Sequence, residues 1–258
     1  MKTPIISLLI VLLCGSSLLA QNQHFTTSGT IEFERRVNMF AIIKKSINAD
    51  NETWYGPAFE NYKKTQPQFK TMTSTLSFAN NKTLFTPAPP AETQTNSWFS
   101  NDPAGKQINT VYTDLNTHIS TTQKQVFEEQ FLVKDTTRKI TWKITDETRE
   151  IAGYTCRRAN ALVMDSIYVV AFYTDEIAVS GGPESFTGLP GMILGLALPH
   201  ENITWFATKV VDTSLPEGTV KAPTKGKAVN DQELEKTLKS AIKNWGDEAQ
   251  SYYKAFLL

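Results

Sequence analysis

Catalysis or metal binding in this chain would have to rest on three histidines, two cysteines and a few carboxylate pairs. His24, His118 and His200 fall in separate segments, and none has a second donor at metal-ligand spacing. His200-Glu201-Asn202-Ile203 lacks the second histidine of a zinc-protease helix. Gly182-Pro183-Glu184-Ser185-Phe186 puts Pro and Glu where a nucleophile elbow needs its Gly-x-Ser-x-Gly turn. Ser251 and Lys254 have Ser-x-x-Lys spacing, but without the companion motifs of such enzymes. Glu128-Glu129 and Asp175-Glu176 are adjacent pairs, so on a strand their side chains diverge and cannot share a proton. No phosphate-binding Gly-rich pattern is present. These residues predict a protein that is not an enzyme and holds no metal or cofactor. Cys156 has no His or Cys near it in sequence and reads as a buried, inert thiol.

The backbone-special residues gather instead in Tyr173 to Leu198, where a strand breaks into a Gly- and Pro-rich loop and resumes as an apolar run. Gly182, Pro183, Phe186, Gly188, Leu189, Pro190, Gly191 and Met192 are the candidate binding residues of that loop. A purely architectural role is the alternative: the glycines supply positive φ angles and the prolines stiffen a reversal. Trp98 and Phe99 are adjacent aromatics in another Pro-rich loop, placed either to tuck into the core edge or to form a contact lip.

Positioning these segments requires a sheet. Ile31, Phe33, Arg35 and Val37 alternate with polar residues as a half-buried strand does, with Arg35 the exception on the inner face. A short helix is expected from Pro57 to Lys64. Met72 to Phe78 forms a strand that returns through a hairpin at Asn80-Asn81. Residues 86–106 read as a surface loop. Strand patterns follow at 109–114, 118–124, 126–133, 140–144, 154–162 and 166–174, with turn signals such as Lys134-Asp135-Thr136 and Met164-Asp165, and one more at 202–211. Residues 213–228 read as a connector. Leu234, Leu238, Ile242, Trp245, Ala249, Tyr252 and Phe256 form one apolar stripe, predicting a single terminal helix over 230–256 with Gly246 as its weak point. Short turns between successive strands favour an antiparallel meander.

The chain has 258 residues, 40% of them apolar and 20% charged, as an ordinary globular protein has. Lys plus Arg and Asp plus Glu number 26 each, so no basic surface points to nucleic acid. Met1 to Ala20 has the short positive start, apolar run and small residues of a signal peptide, predicting export and one mature β-rich domain over 21–258. Lipidation at Cys14 is the rival reading, against which Val11-Leu12-Leu13 lacks the usual small residues. After cleavage at Ala20 only Cys156 would remain, excluding an internal disulfide. No later segment is long enough to span a bilayer.

Gly188-Leu189-Pro190-Gly191-Met192-Ile193-Leu194 resembles the signature of the GLPGLI family of exported Gram-negative bacterial proteins, with Met192 where the name has Leu. Ile140 to Ile144, Ile151 to Ala159 and Phe172 to Ile177 resemble that family's core strands, while Ala178 departs from its pattern. The resemblance implies an exported, periplasmic or envelope-associated protein with no catalytic residues to assign. By analogy with exported lipid-handling folds, we expect a mainly β (α+β) protein: a strongly curved antiparallel sheet or half-open barrel with a C-terminal amphipathic helix. Its expected partner is a hydrophobic small molecule or, alternatively, an envelope protein of an outer-membrane system.

Overall fold

The computed structural model describes residues 25–89, 99, 102–106, 108–246 and 248–258. The expected signal segment and Trp98 lie outside them. Twelve strands form one open sheet in the order β12-β6-β5-β4-β3-β2-β1-β11-β10-β9-β8-β7. In chain order they are β1 (Gly29–Asn38), β2 (Phe69–Ala79), β3 (Lys82–Pro87), β4 (Asn109–Asp114), β5 (Ile119–Val126), β6 (Glu129–Thr136), β7 (Lys143–Ile151), β8 (Tyr154–Val163), β9 (Ile167–Thr174), β10 (Met192–Leu198), β11 (Ile203–Asp212) and β12 (Lys227–Val229). The helices are α1 (Met39–Ser46), α2 (Glu52–Thr65), α3 (Pro103–Lys106), α4 (Asp231–Ala241) and α5 (Glu248–Leu257).

The sheet is two meanders, β1 to β6 and β7 to β11, joined where β1 pairs with β11. The expected antiparallel pairing holds between these eleven strands, whereas β12, whose residues begin inside the expected connector, pairs parallel with β6. Local turn chemistry sets several hairpins. Asn80 and Asn81 have φ of 51° and 58°, and Met164 and Asp165 have 50° and 57°, the paired positive angles of a tight hairpin turn. The turn expected at Lys134 to Thr136 is instead the end of β6, and β7 runs on to Ile151.

Residues directly opposite on antiparallel strands share a face, so the register traces one continuous inner surface. It runs from Phe131 through Lys124, Asn109, Val111, Phe85, Leu76 and Ile31 to Arg35, Trp205 and Leu196. All ten are buried. Strands β9 and β10 are buried on both faces because β7 returns over the opposite one. There the Arg149 guanidinium lies 4.8 Å from the Phe206 ring centre, and Ile151 fills the space in which a side chain at Gly195 would sit.

Two helical expectations change. The helix placed at Pro57 to Lys64 begins at Glu52, five residues earlier, and carries Pro57 inside it; α1 precedes it, capped by Asn38, whose side chain accepts from the Ala41 amide. Phe59 and Tyr62 of α2 face inward, with Phe40 of α1 against both rings. The single terminal helix is two: α4 ends at Ala241, and the connection to α5 includes Gly246 at φ of 58°. Asn230 and Glu233 form the expected reciprocal cap on α4. Leu234 and Leu238 of α4 and Phe256 of α5 pack on Val126, Phe131 and Val133 as a second, smaller core.

Candidate functional site

The Gly-Pro segment connecting β9 to β10 folds across the inner face of the sheet. Gly181 lies against Thr83 of β3, where a methyl group would come within 2.6 Å of the Thr83 side chain. Gly191, at φ of 140°, passes so close to the Thr174 carbonyl that a Cβ would sit 2.0 Å from its oxygen. Gly182, Pro183, Phe186, Leu189, Gly191 and Met192 are all buried; Gly188 and Pro190 are the exposed members of the expected set. Phe99 is also buried, its ring 5.7 Å from Tyr55 and 5.9 Å from Tyr62, so it tucks into the core edge. Among the described residues of the surrounding loop, α3 packs, with Pro103 and Gly105 buried.

What the loop brings to the sheet is charge. Glu184 takes φ of 53°, a left-handed conformation unusual for a residue with a side chain, and is buried. Asn109 of β4 donates to the Glu184 carboxylate at 3.0 Å. Burial pushes the Glu184 carboxyl above its ordinary value, opposed first by the charge of Arg35 and then by Asn109 and Lys124. Lys124 is buried on β5, and burial brings its ammonium down to about 8, against the attraction of Glu184. Arg35 is 7% exposed. Its guanidinium donates to the Ala104 carbonyl at 2.7 Å and to the Met72 sulfur at 3.6 Å, and lies 5.2 Å from the centre of the Trp205 ring. Burial lowers its affinity for its proton, while Glu184 and Asp102 restore part of it.

The end of α5 completes the site. Lys124 donates to the Phe256 carbonyl at 2.6 Å, Arg138 to the Leu257 carbonyl at 2.6 Å, and Ser185 to the Leu258 carbonyl at 3.3 Å. Three consecutive main-chain oxygens are thus captured by three side chains from β5, the segment after β6 and the motif loop. Two cavities flank this contact. One of about 60 Å³ is lined by Asn109, Lys124, Arg138, Ser185, Asp231 and Leu258, among others. A second of about 30 Å³ lies among Arg35, Asn109, Glu184, Trp205, Ala255 and Leu258.

Strand alternation marks Arg35 in the sequence, but it does not single out Glu184, Lys124, Arg138, Asn109 or Trp205. A polar residue flanked by polar neighbours carries no periodic signal, and Glu184 sits in a tetrapeptide that reads as a surface turn. Cys156 is fully buried and its thiol is pushed up to about 12, chiefly by burial, which makes it unreactive. His118 and His200 are exposed, and among the described residues no three His, Cys, Asp or Glu side chains gather as a metal site. No helix of the described residues is long and apolar enough to cross a membrane.

A family model described as "Protein of unknown function (Porph_ging)" matches residues 162–195, which span the end of β8, all of β9, the motif loop and the start of β10. No curated protein matches the chain significantly. Among solved structures, the protein PNGF-II is similar in two crystal forms. The C2 form gives a TM-score of 0.50 at 14% identity over 81% of this chain, and the P21 form 0.49 at 16% over 82%. This chain spans about a third of the length of PNGF-II (32% and 33%). An uncharacterised conserved protein from Thermus thermophilus aligns over 84% of this chain and 98% of its own at 5% identity, with a TM-score of 0.38. At these identities the likeness to the C2 form of PNGF-II concerns the fold alone, a mostly β architecture with an open sheet.

Proposed function

We propose that this protein is an exported, non-catalytic binding module of the cell envelope, belonging with the GLPGLI proteins, that holds an amphiphilic ligand on the inner face of a curved sheet. The observation that carries the reading is the seating of Phe256 to Leu258. The buried Lys124, the half-buried Arg138 and a hydroxyl take its main-chain oxygens while Phe256 enters an apolar cluster on Val126, Phe131 and Val133. Such a surface suits any chain with a polar head and an apolar body. The segment occupying it is joined through the left-handed Gly246, a pivot on which α5 can swing away. The cavities of about 60 and 30 Å³ are far smaller than the roughly 300 Å³ of a typical ligand pocket, so the ligand displaces α5 instead of filling a ready space. Curvature is supported by Arg35 on β1 and Asn109 on β4, three strand spacings or roughly 14 Å apart in a flat sheet, lining one small cavity. Incubation with envelope lipid extract followed by native mass spectrometry tests the reading. A bound amphiphile supports it, and a folded protein that stays empty across the extract refutes it.

A second reading, contact with an envelope protein, is favoured by one patch. Phe127, at φ of 54°, is held out at the β5–β6 turn and packs 5.4 Å from the half-exposed Trp245 and 6.5 Å from Tyr252. Crosslinking in intact cells at Trp245 distinguishes the two, since a ligand carrier yields no protein adduct there.

A further inference from the structure

Two buried donors point to a finer feature of the same surface. Arg35 Nε and Trp205 Nε1 have no hydrogen-bond partner, although both residues are more than nine-tenths buried. An unmet buried donor is costly, so two on facing residues of neighbouring strands are a localised destabilisation that a ligand's acceptors would relieve. Both residues line the cavity of about 30 Å³, which has room for about two oxygen-sized atoms. Ala255 of α5 and Leu258 just after it line the same cavity.

We propose that this cavity is the head-group site for a carboxylate, and that the ligand class is an alkyl monocarboxylic acid whose chain follows the path that α5 vacates. The inference rests on the binding reading above. The ligand's two oxygens accept from Arg35 Nε and Trp205 Nε1, while the Ala104 carbonyl, the Met72 sulfur and the Trp205 ring already hold the guanidinium in place. Charge favours a carboxylate over a neutral hydroxyl. Arg35 remains cationic, and burial drives both nearby acids, Glu184 and Asp102, toward their neutral forms. Glu184 faces Arg35 of β1, Asn109 of β4 and Lys124 of β5, and in its protonated form it places no negative charge beside the ligand.

Calorimetric titration of the purified protein with octanoate and with 1-octanol, an uncharged match, tests this. Octanoate is expected to bind more tightly than 1-octanol, and Trp205→Phe to weaken octanoate about tenfold. Octanoate affinity is expected to fall as the pH is raised, and Glu184→Gln to reduce that fall, leaving the part that follows Lys124 losing its charge above about 8. Equal binding of alcohol and acid, or octanoate binding that ignores Trp205→Phe, overturns the carboxylate assignment but leaves the binding reading standing. If neither amphiphile binds, both fail.

Discussion

Arg35 and Trp205 face each other across the β1–β11 pair, the guanidinium carbon 5.2 Å from the ring centre, each with one N–H that meets no acceptor. This pair lies on the seam that joins the two meanders. Removing the indole N–H should therefore cost little stability. Trp205→Phe is expected to shift the unfolding free energy by less than about 1 kcal/mol, since it deletes an unmet donor. Arg35→Met should cost about 1–3 kcal/mol, because the Ala104 carbonyl loses its partner and Glu184 its counter-charge. Urea midpoints of the two variants check this ordering.

The motif glycines should separate by environment. Gly191→Ala drives a methyl into the Thr174 carbonyl and should cost more than about 3 kcal/mol, or prevent folding. Gly188→Ala meets nothing closer than the Trp142 indole nitrogen at 3.8 Å, so its only penalty is the left-handed backbone, about 1–2 kcal/mol. Thermal melts of the pair read the difference, and equal losses would show that the loop is not held by the β9 backbone.

Phe186, in the same loop, is 1% exposed and should behave as a core residue. Phe186→Ala is expected to cost about 3–5 kcal/mol, measured by denaturant unfolding.

Lys124 gives the protein a pH signature. Its ammonium falls from 10.5 to about 8 on folding. Above about 8 the unfolded chain still holds a proton that the folded chain has released, so stability rises with pH. Below about 8 both states hold the proton, and the cost of burying the charge is felt in full. The Cys156 thiol, moved from 9.0 to about 12, opposes this above pH 9, where the unfolded thiol ionises and the folded one does not, so the two effects largely cancel until the unfolded lysine titrates near 10.5. The unfolding free energy should therefore climb between pH 8 and 9, and Lys124→Met should flatten that climb. A slope that survives the substitution assigns the effect elsewhere.

How far the sequence could be read depended on whether a residue's neighbours were local. Ile31, Phe33 and Val37 mark their strand by simple alternation, and Arg35 stands out against it. Asn80-Asn81 and the Asn230–Glu233 cap are likewise local, and the structure has them as expected. Strand β5 is harder to orient, because Ser120, Thr122 and Lys124 face inward while Thr121, Gln123 and Gln125, equally polar, alternate with them. Glu184 reads as solvated in Gly-Pro-Glu-Ser. It is buried only because the loop crosses to β4, a contact 75 residues away in sequence. The apolar stripe of residues 230–256 is continuous in helical spacing and gives no sign that Gly246 turns the chain instead of merely weakening a helix.

The central claim is that a ligand takes the place of Phe256 to Leu258. Hydrogen exchange of the amides in α5, with and without octanoate, tests it most directly. Binding should release the carbonyls held by Lys124, Arg138 and Ser185, and protection across residues 249–258 should fall while that of β1 and β11 holds or rises. Octanoate bound with α5 protection unchanged would contradict the account.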